Sequence, residues 1–383
     1  MKIAFDIQLF LKGEKTGIAW CADNIITQLI KEQKHKYQLN CFTLKVEENT
    51  LNGLKKYETK GVVMKKCKWF HDVVYKLLCV FIPVPYSWFF GKKADVTQFF
   101  NFIIPPGVRG KKVTIIHDMA YKALPETVRL KTRVWLNLMV RKSCRRADKI
   151  ITVSEFSKSE IIKYIKVPEE KIVVMPNGVN DSIYHINYSG KEIETAKQKY
   201  EINGNYILYL GTLEPRKNII RLISAYSKLI TINPNAPNLV LAGRKGWMYE
   251  EIFRKVQQEN IEDRVKFIGY VAPDDSPKLL NGADIFLFPS IYEGFGMPIL
   301  EAMACGTPVI SSNLSSLPEV AGDAAILVNP YCSDEICNAM HNLLADNIFR
   351  QKLILAGNER VKQFTWENSI RILYSVYEKL MEA

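Results

Sequence analysis

Eight cysteines are spread over 383 residues with no Cys-x-x-Cys pair, and there are only five histidines. A disulfide framework or a zinc site is therefore not expected, and free thiols in a reducing cytoplasm are the simpler account. No D-x-D motif and no H-E-x-x-H motif occurs, so no metal-binding set is legible. The longest apolar run, "LLCVFIPVPYSWFF" (77–90), is 14 residues with two prolines, too short to span a bilayer. Asp6 interrupts "MKIAFDIQLF", which excludes a secretory signal there. Short repeats and low-complexity tracts are missing as well.

What is present is a soluble composition, 48% hydrophobic and 24% charged, on a chain long enough for two domains. Charge is unevenly placed. Residues 1–180 hold 32 Lys+Arg against 16 Asp+Glu, while 181–383 hold 20 against 24. The first half, at +16, must face something anionic: nucleic acid, a membrane surface or a phosphorylated substrate. No zinc, helix-turn-helix or stacked-aromatic signature supports nucleic acid.

Strands and helices alternate twice. "KIAFDI", "YQLNCFTL", "VTIIHD", "KIITVS" and "KIVVMP" read as strands in the first half, with "GIAWCADNIITQLIKE" and "LKTRVWLNLMVRKSCRRA" as helices. "YILYLG", "NLVLAG", "VKFIGY", "DIFLFPS" and "TPVISS" repeat the scheme in the second. Two doubly wound α/β domains follow, 1–180 and 181–365, with a last helix over 366–383. The polar stretch 180–205 separates the domains. Ile370, Leu373, Val376, Tyr377 and Leu380 give the last helix an apolar stripe that needs a partner surface.

Ligands of open parallel sheets bind beyond the carboxyl ends of the strands. After the first strand, Gly13 and Gly17 lead into a helix and either let backbone N–H groups approach an anion or serve a plain turn. His117 and Asp118 follow a strand; His117 either satisfies a neighbouring loop or touches substrate, and its crevice position favours the second. Ser157 and Glu160 have capping-box spacing and are assigned to helix initiation.

In "YLGTLEPRKNIIRLISAY", Arg216 and Lys217 stand at a turn before a helix that Asn218 can cap, either a setting for a diphosphate, the favoured reading, or a solvated basic turn. In "FPSIYEGFGMPILEAMACGTPVI" (288–310) a strand passes into a glycine loop and a short helix, opened by Pro298 and closed by Gly306. Two carboxylates, Glu293 in the loop and Glu301 one turn into the helix, sit in an apolar run. They are suited to accept hydrogen bonds from hydroxyls.

These motifs, with "LPEVAGDAAILVNP" (317–330), "TGIA", "HDMAYKALPE", "SEFSKSEI" and "PNGV" in order, resemble the family 4 retaining glycosyltransferases of the GT-B fold over essentially the whole chain. The resemblance implies two Rossmann-like domains facing a central cleft, the first binding acceptor, the second binding a nucleotide sugar, and the last helix returning to the first domain. It implies that Glu293, with Gly294, Phe295 and Gly296, meets the donor sugar and Glu301 the ribose. Arg216 and Lys217 would hold the diphosphate with Gly17 approaching it, His117 would line the sugar site, and Gly269 and Tyr270 would meet the nucleobase.

"GIAWC" departs from the family's frequent "GIGRY", placing Ala19 and Trp20 in the glycine loop. The implied chemistry is metal-independent transfer of a hexose, mannose or a relative, with GDP-mannose the first donor. The leaving phosphate would assist attack from its own face. The acceptor would be a growing, lipid-linked cell-surface polysaccharide. The lysine- and aromatic-rich segment 64–93 either lies on an anionic membrane or is core with a solvated face. The enzyme would then be cytoplasmic or peripheral on the membrane's inner face; the competing reading is a catalytically silent sugar-binding partner subunit.

Overall fold

The structure, a computed structural model, describes residues 1–11, 16–92 and 94–382; Gly13 and Lys93 lie outside them. The chain forms two compact units. The first comprises Met1–Lys122, Leu130–Asn177 and the C-terminal Trp366–Ala383; the second comprises Ala123–Arg129 and Gly178–Thr365.

In the first unit, seven parallel strands, β1 (Lys2–Asp6), β2 (Lys36–Phe42), β3 (Val63–Cys67), β4 (Val96–Phe99), β5 (Lys111–Ile116), β6 (Lys149–Thr152) and β7 (Ile172–Val174), take the order 3-2-1-4-5-6-7. The helix Gly17–Glu32 places Ala22, Ile25, Ile26 and Leu29 at three- and four-residue spacing into the core. It ends where Gln33 turns left-handed, φ 51°, and donates its N–H to the Ile30 carbonyl.

The helix Trp366–Glu382 covers the same core, burying Ile370, Leu373, Val376, Tyr377 and Leu380. Tyr377 donates to the Gln98 side chain at 3.1 Å, and the hydroxyls of Tyr374 and Tyr37 lie 3.1 Å apart. Each of these aliphatic side chains contributes about 1.5–3 kcal/mol when fully buried. The C-terminal segment is thus part of the first unit's core although it follows the second unit in sequence.

The second unit has six parallel strands, β8 (Tyr206–Leu210), β9 (Asn238–Ala242), β10 (Val265–Gly269), β11 (Ile285–Phe288), β12 (Val309–Ser312) and β13 (Ala325–Val328), in the order 10-9-8-11-12-13. Strand order reverses between β8 and β11, so the loops after these two strands flank the unit's crevice.

Two helix starts differ from expectation. The helix Glu155–Ile165 is capped by Ser154, which accepts from the Ser157 N–H at 3.0 Å; Ser157 itself lies inside the helix and donates to the His117 carbonyl. Asn218 is left-handed at φ 61° and does not cap through its side chain. Its amide instead donates to the carbonyls of Pro289 and Pro330, at 3.1 and 2.6 Å, tying the β8 loop to the ends of β11 and β13.

Close approach of β8 and β9 depends on two glycines. A Cβ on Gly243, φ 148°, would stand 1.8 Å from the Gly211 carbonyl oxygen, a backbone atom with no room to yield. Gly243→Ala is expected to cost about 3 kcal/mol or more. A fall of roughly 6–12 °C in melting temperature follows for a unit of this size, and an unchanged melting curve would contradict the packing.

Candidate functional site

In the second unit, the turn after β8 and the loop after β11 converge on one carboxylate. The backbone N–H of Ile291 donates to the Arg216 carbonyl at 2.8 Å, joining the two segments. Lys217 Nζ donates to Glu293 Oε1 at 2.5 Å and Arg216 Nη1 to Glu293 Oε2 at 2.8 Å. Arg216 also donates to the Tyr292 carbonyl at 3.1 Å, and its Nε lies 2.7 Å from Glu214 Oε1. Lys217 Nζ stands 4.8 Å from the centre of the Phe288 ring. The sequence motifs therefore form a locally balanced set, two cations against two carboxylates.

Burial by itself would raise the Glu293 pKa, but Arg216 and then Lys217 outweigh it and hold the carboxyl down at about 2. Burial, followed by repulsion from Arg216, pulls the Lys217 ammonium below its ordinary value. The Glu293 backbone is fixed as firmly as its side chain. Its N–H donates to Ser315 Oγ at 3.1 Å, and the Ser316 hydroxyl lies 3.0 Å from its carbonyl and 2.9 Å from that of Phe295. Gly294 is buried, Phe295 packs edge-on to Phe364 at 5.7 Å, and Gly296 opens the helix Met297–Ala304 at φ 110°.

Glu301 stands apart from this set. It lies in the Met297–Ala304 helix and hydrogen-bonds the Tyr184 hydroxyl; among the described residues no cation pairs with it, and burial raises its pKa to about 7. The Tyr184 hydroxyl is also within hydrogen-bonding reach of Ser276. At the end of β10, Gly269 is left-handed, φ 68°, with open space where a Cβ would be. The half-exposed Tyr270 ring is covered by the Arg244 guanidinium at 4.2 Å.

The remaining candidates belong to the first unit. Gly17 is exposed at the start of its helix, with nothing near its missing Cβ. His117 follows β5, and its Nε2 lies 2.9 Å from the Phe100 carbonyl. A carbonyl only accepts, so Nε2 carries the proton; burial lowers the ring's pKa, and the neutral form leaves Nδ1 as an acceptor. His117 thus makes the loop contact first considered for it.

Sequence reading overlooked Tyr184, Arg244, Ser315 and Ser316. It also passed over Gly211 and Gly243, although "YLG" and "LAG" carry the same strand-then-glycine signal.

Among the described residues, the two parallel sheets of seven and six strands, each flanked by helices, have the GT-B fold. Models of "Glycosyltransferase Family 4" and "Glycosyl transferases group 1" match residues 22–183 and 191–360. The O-antigen chain mannosyltransferase B of Escherichia coli is 37% identical over 282 residues, 73% of each chain. The O-antigen chain mannosyltransferase RfbU of Salmonella typhimurium is 30% identical over 68% of each. The chain spans 29% of the E. coli serotype-specific mannosyltransferase WbdA, at 32% identity.

Among solved structures, Anabaena HepE in complex with UDP and glucose superposes at a TM-score of 0.76, with 21% identity over 99% of this chain and 100% of that one. Sucrose-phosphate synthase of Thermosynechococcus elongatus superposes at 0.75, with 19% identity over 100% and 99%. The chain belongs to the family 4, or group 1, glycosyltransferases.

Proposed function

We propose that this glycosyltransferase moves a mannosyl or closely related hexosyl group from a nucleotide sugar, GDP-mannose first, to a growing lipid-linked cell-surface polysaccharide, with retention and without a metal. The Glu293–Arg216–Lys217 set at the strand-order reversal carries the reading. Negative charge that builds on the leaving diphosphate is met by Arg216 and Lys217, beside the start of the helix Ile219–Ile232. Glu293 orients the two cations and accepts from donor-sugar hydroxyls.

Glu301 accepts from the ribose hydroxyls. Tyr270, with Arg244 upon it, lies beside the base. Released from the anomeric carbon, the diphosphate oxygen takes the acceptor's proton as the acceptor oxygen attacks the same face, so no protein nucleophile is needed. Mannose and a polysaccharide acceptor are favoured because two relatives covered over two thirds of their length are named for mannosyl transfer to O-antigen chains.

A thermal-shift panel of GDP-, UDP-, ADP- and dTDP-sugars, run with EDTA and then with magnesium, tests this together with transfer of labelled mannose to a glycan acceptor. At one hundred times its Kd, GDP-mannose in EDTA is expected to stabilise the protein by about 2.7 kcal/mol. Stabilisation only in magnesium would refute metal independence, and stabilisation only by UDP-sugars would refute the donor. Binding without transfer would favour the silent partner.

A further inference from the structure

The first unit turns an unusual amount of apolar surface outward in one short stretch. The helix Asp72–Phe81 buries Tyr75 and Cys79, yet Val73, Val74, Leu77 and Phe81, which share a face at helical spacing, are 54, 45, 58 and 84% exposed. Ile82 follows at 58%, and Trp69 and Trp88 flank the helix at 68 and 71%. Trp69 stacks on Phe89 at 5.2 Å, and Phe89 meets Tyr75 edge-on at 5.2 Å, so these side chains belong to one cluster. Lys68 and Lys92 are exposed beside it, while the acids Glu58 and Asp72 are taken up by Lys66 and Lys76.

A second element repeats the pattern. The helix Leu130–Arg146 carries six cations and no acid. Leu130, Val134 and Leu138 form an outward stripe, 63, 48 and 48% exposed, among the exposed Lys131, Arg141, Lys142 and Arg145. The loop 102–107 bonds both to the stretch 69–88 and to this helix. Arg146 donates to the Ile104 carbonyl at 3.0 Å, and the N–H groups of Tyr86 and Ser87 donate to the Pro106 and Gly107 carbonyls.

We infer that the outward face of residues 69–88, flanked by the basic Leu130–Arg146 helix, docks the first unit on an anionic lipid bilayer. The inference rests on the reading of a lipid-linked acceptor and names the surface that brings the enzyme to it. Aliphatic groups edged by tryptophan and lysine suit the boundary between acyl chains and anionic headgroups. A second copy of the chain would set two acid-free, cationic helices against each other, and a nucleic acid would leave Leu77 and Phe81 uncovered. No described helix is long and apolar enough to cross a membrane, so the contact is a surface one.

The test is co-sedimentation of the full chain with phosphatidylcholine vesicles and with phosphatidylglycerol-rich vesicles, at low and high salt. Size-exclusion chromatography and mannosyl transfer to a soluble acceptor are measured in parallel. Wild type is expected to bind the anionic vesicles at low salt. L77S/F81S/W88S should weaken that binding about a hundredfold while melting normally and keeping soluble-acceptor transfer. K131E/K142E should weaken it about tenfold at low salt and little at high salt.

Failure of wild type to bind, undiminished binding by the triple variant, or a wild-type dimer that the triple variant turns into monomer would each overturn the surface. Transfer to the soluble acceptor without vesicle binding would sink this inference and leave the enzymatic reading intact. Vesicle binding without any transfer would do the reverse.

Discussion

Replacing Glu293 with glutamine is expected to lower glycosyl transfer by about a hundred- to a thousandfold, the loss typical of removing one preorganised polar group from a transition state. Stability should fall too. The carboxylate holds Arg216 and Lys217 at 2.8 and 2.5 Å, and both it and Lys217 are buried. Taking away one member of such a set leaves a buried charge without its counter-ion, at about 3–5 kcal/mol. Activity could then be lost merely because the unit unfolds.

A double variant separates the causes. Converting the buried pair to apolar residues, K217M/E293L, removes both charges and should recover much of the melting temperature, because an apolar pair of similar volume often matches a buried ion pair in stability. It should recover none of the turnover. A double variant that regained activity with its stability, or E293Q at full activity, would remove Glu293 and Lys217 from the chemistry.

The depressed Glu293 pKa adds a pH dependence of known sign. A carboxyl whose folded pKa lies near 2, against an ordinary 4.5, contributes stability that is complete above the unfolded value and is lost as pH falls toward 2. Acid should therefore loosen the second unit through this set in wild type, and less so in K217M/E293L.

Much of this site was legible because its residues occupy strand ends, where topology alone concentrates ligands. The pairing itself was not. Glu293 and Lys217 are 76 positions apart, and nothing in either loop indicates that the two cations proposed for a diphosphate already share a carboxylate. Tyr184 was hidden for a related reason: a polar stretch that reads as a separator returns a hydroxyl to Glu301.

The fold was legible where strands are apolar or β-branched, and less so where they carry charged or polar residues. β3, "VMKKC", carries two lysines, and Lys65 is accommodated by donating to the Phe90 carbonyl at 2.7 Å. β4, "VTQF", is half polar, and it and β13, "AILV", were missed, although β6, β11 and β12 are no longer and were read as strands. Parallel pairing specifies them instead: β4 lies between the longer β1 and β5, and β13 pairs along its whole length with the buried β12.

Glu301 is expected to show the opposite balance of stability and function. Its carboxyl pairs with no cation among the described residues, and burial raises its pKa to about 7. The folded protein therefore binds this proton more tightly than the unfolded chain, and stability contributed by the neutral form is lost as pH rises from about 4.5 through 7. Above that window, ionised Glu301 costs up to about 3 kcal/mol; partial exposure of the residue reduces the figure. E301Q is neutral at every pH, so it should match wild type near pH 4.5 and melt higher near pH 8.

The same substitution should impair function. Ribose hydroxyls donate, and a carboxylate accepts from them more strongly than an amide oxygen. Donor affinity of wild type should rise with pH across the window in which Glu301 ionises. E301Q should bind donor about ten- to a hundredfold more weakly at pH 8, with little remaining pH dependence. Melting curves and donor titrations at pH 5, 6.5 and 8 would read both effects. A variant neither stabilised nor weakened in binding would make Glu301 an ordinary helix residue. A variant stabilised but equally tight for donor would leave the buried charge real and its ribose role unfounded.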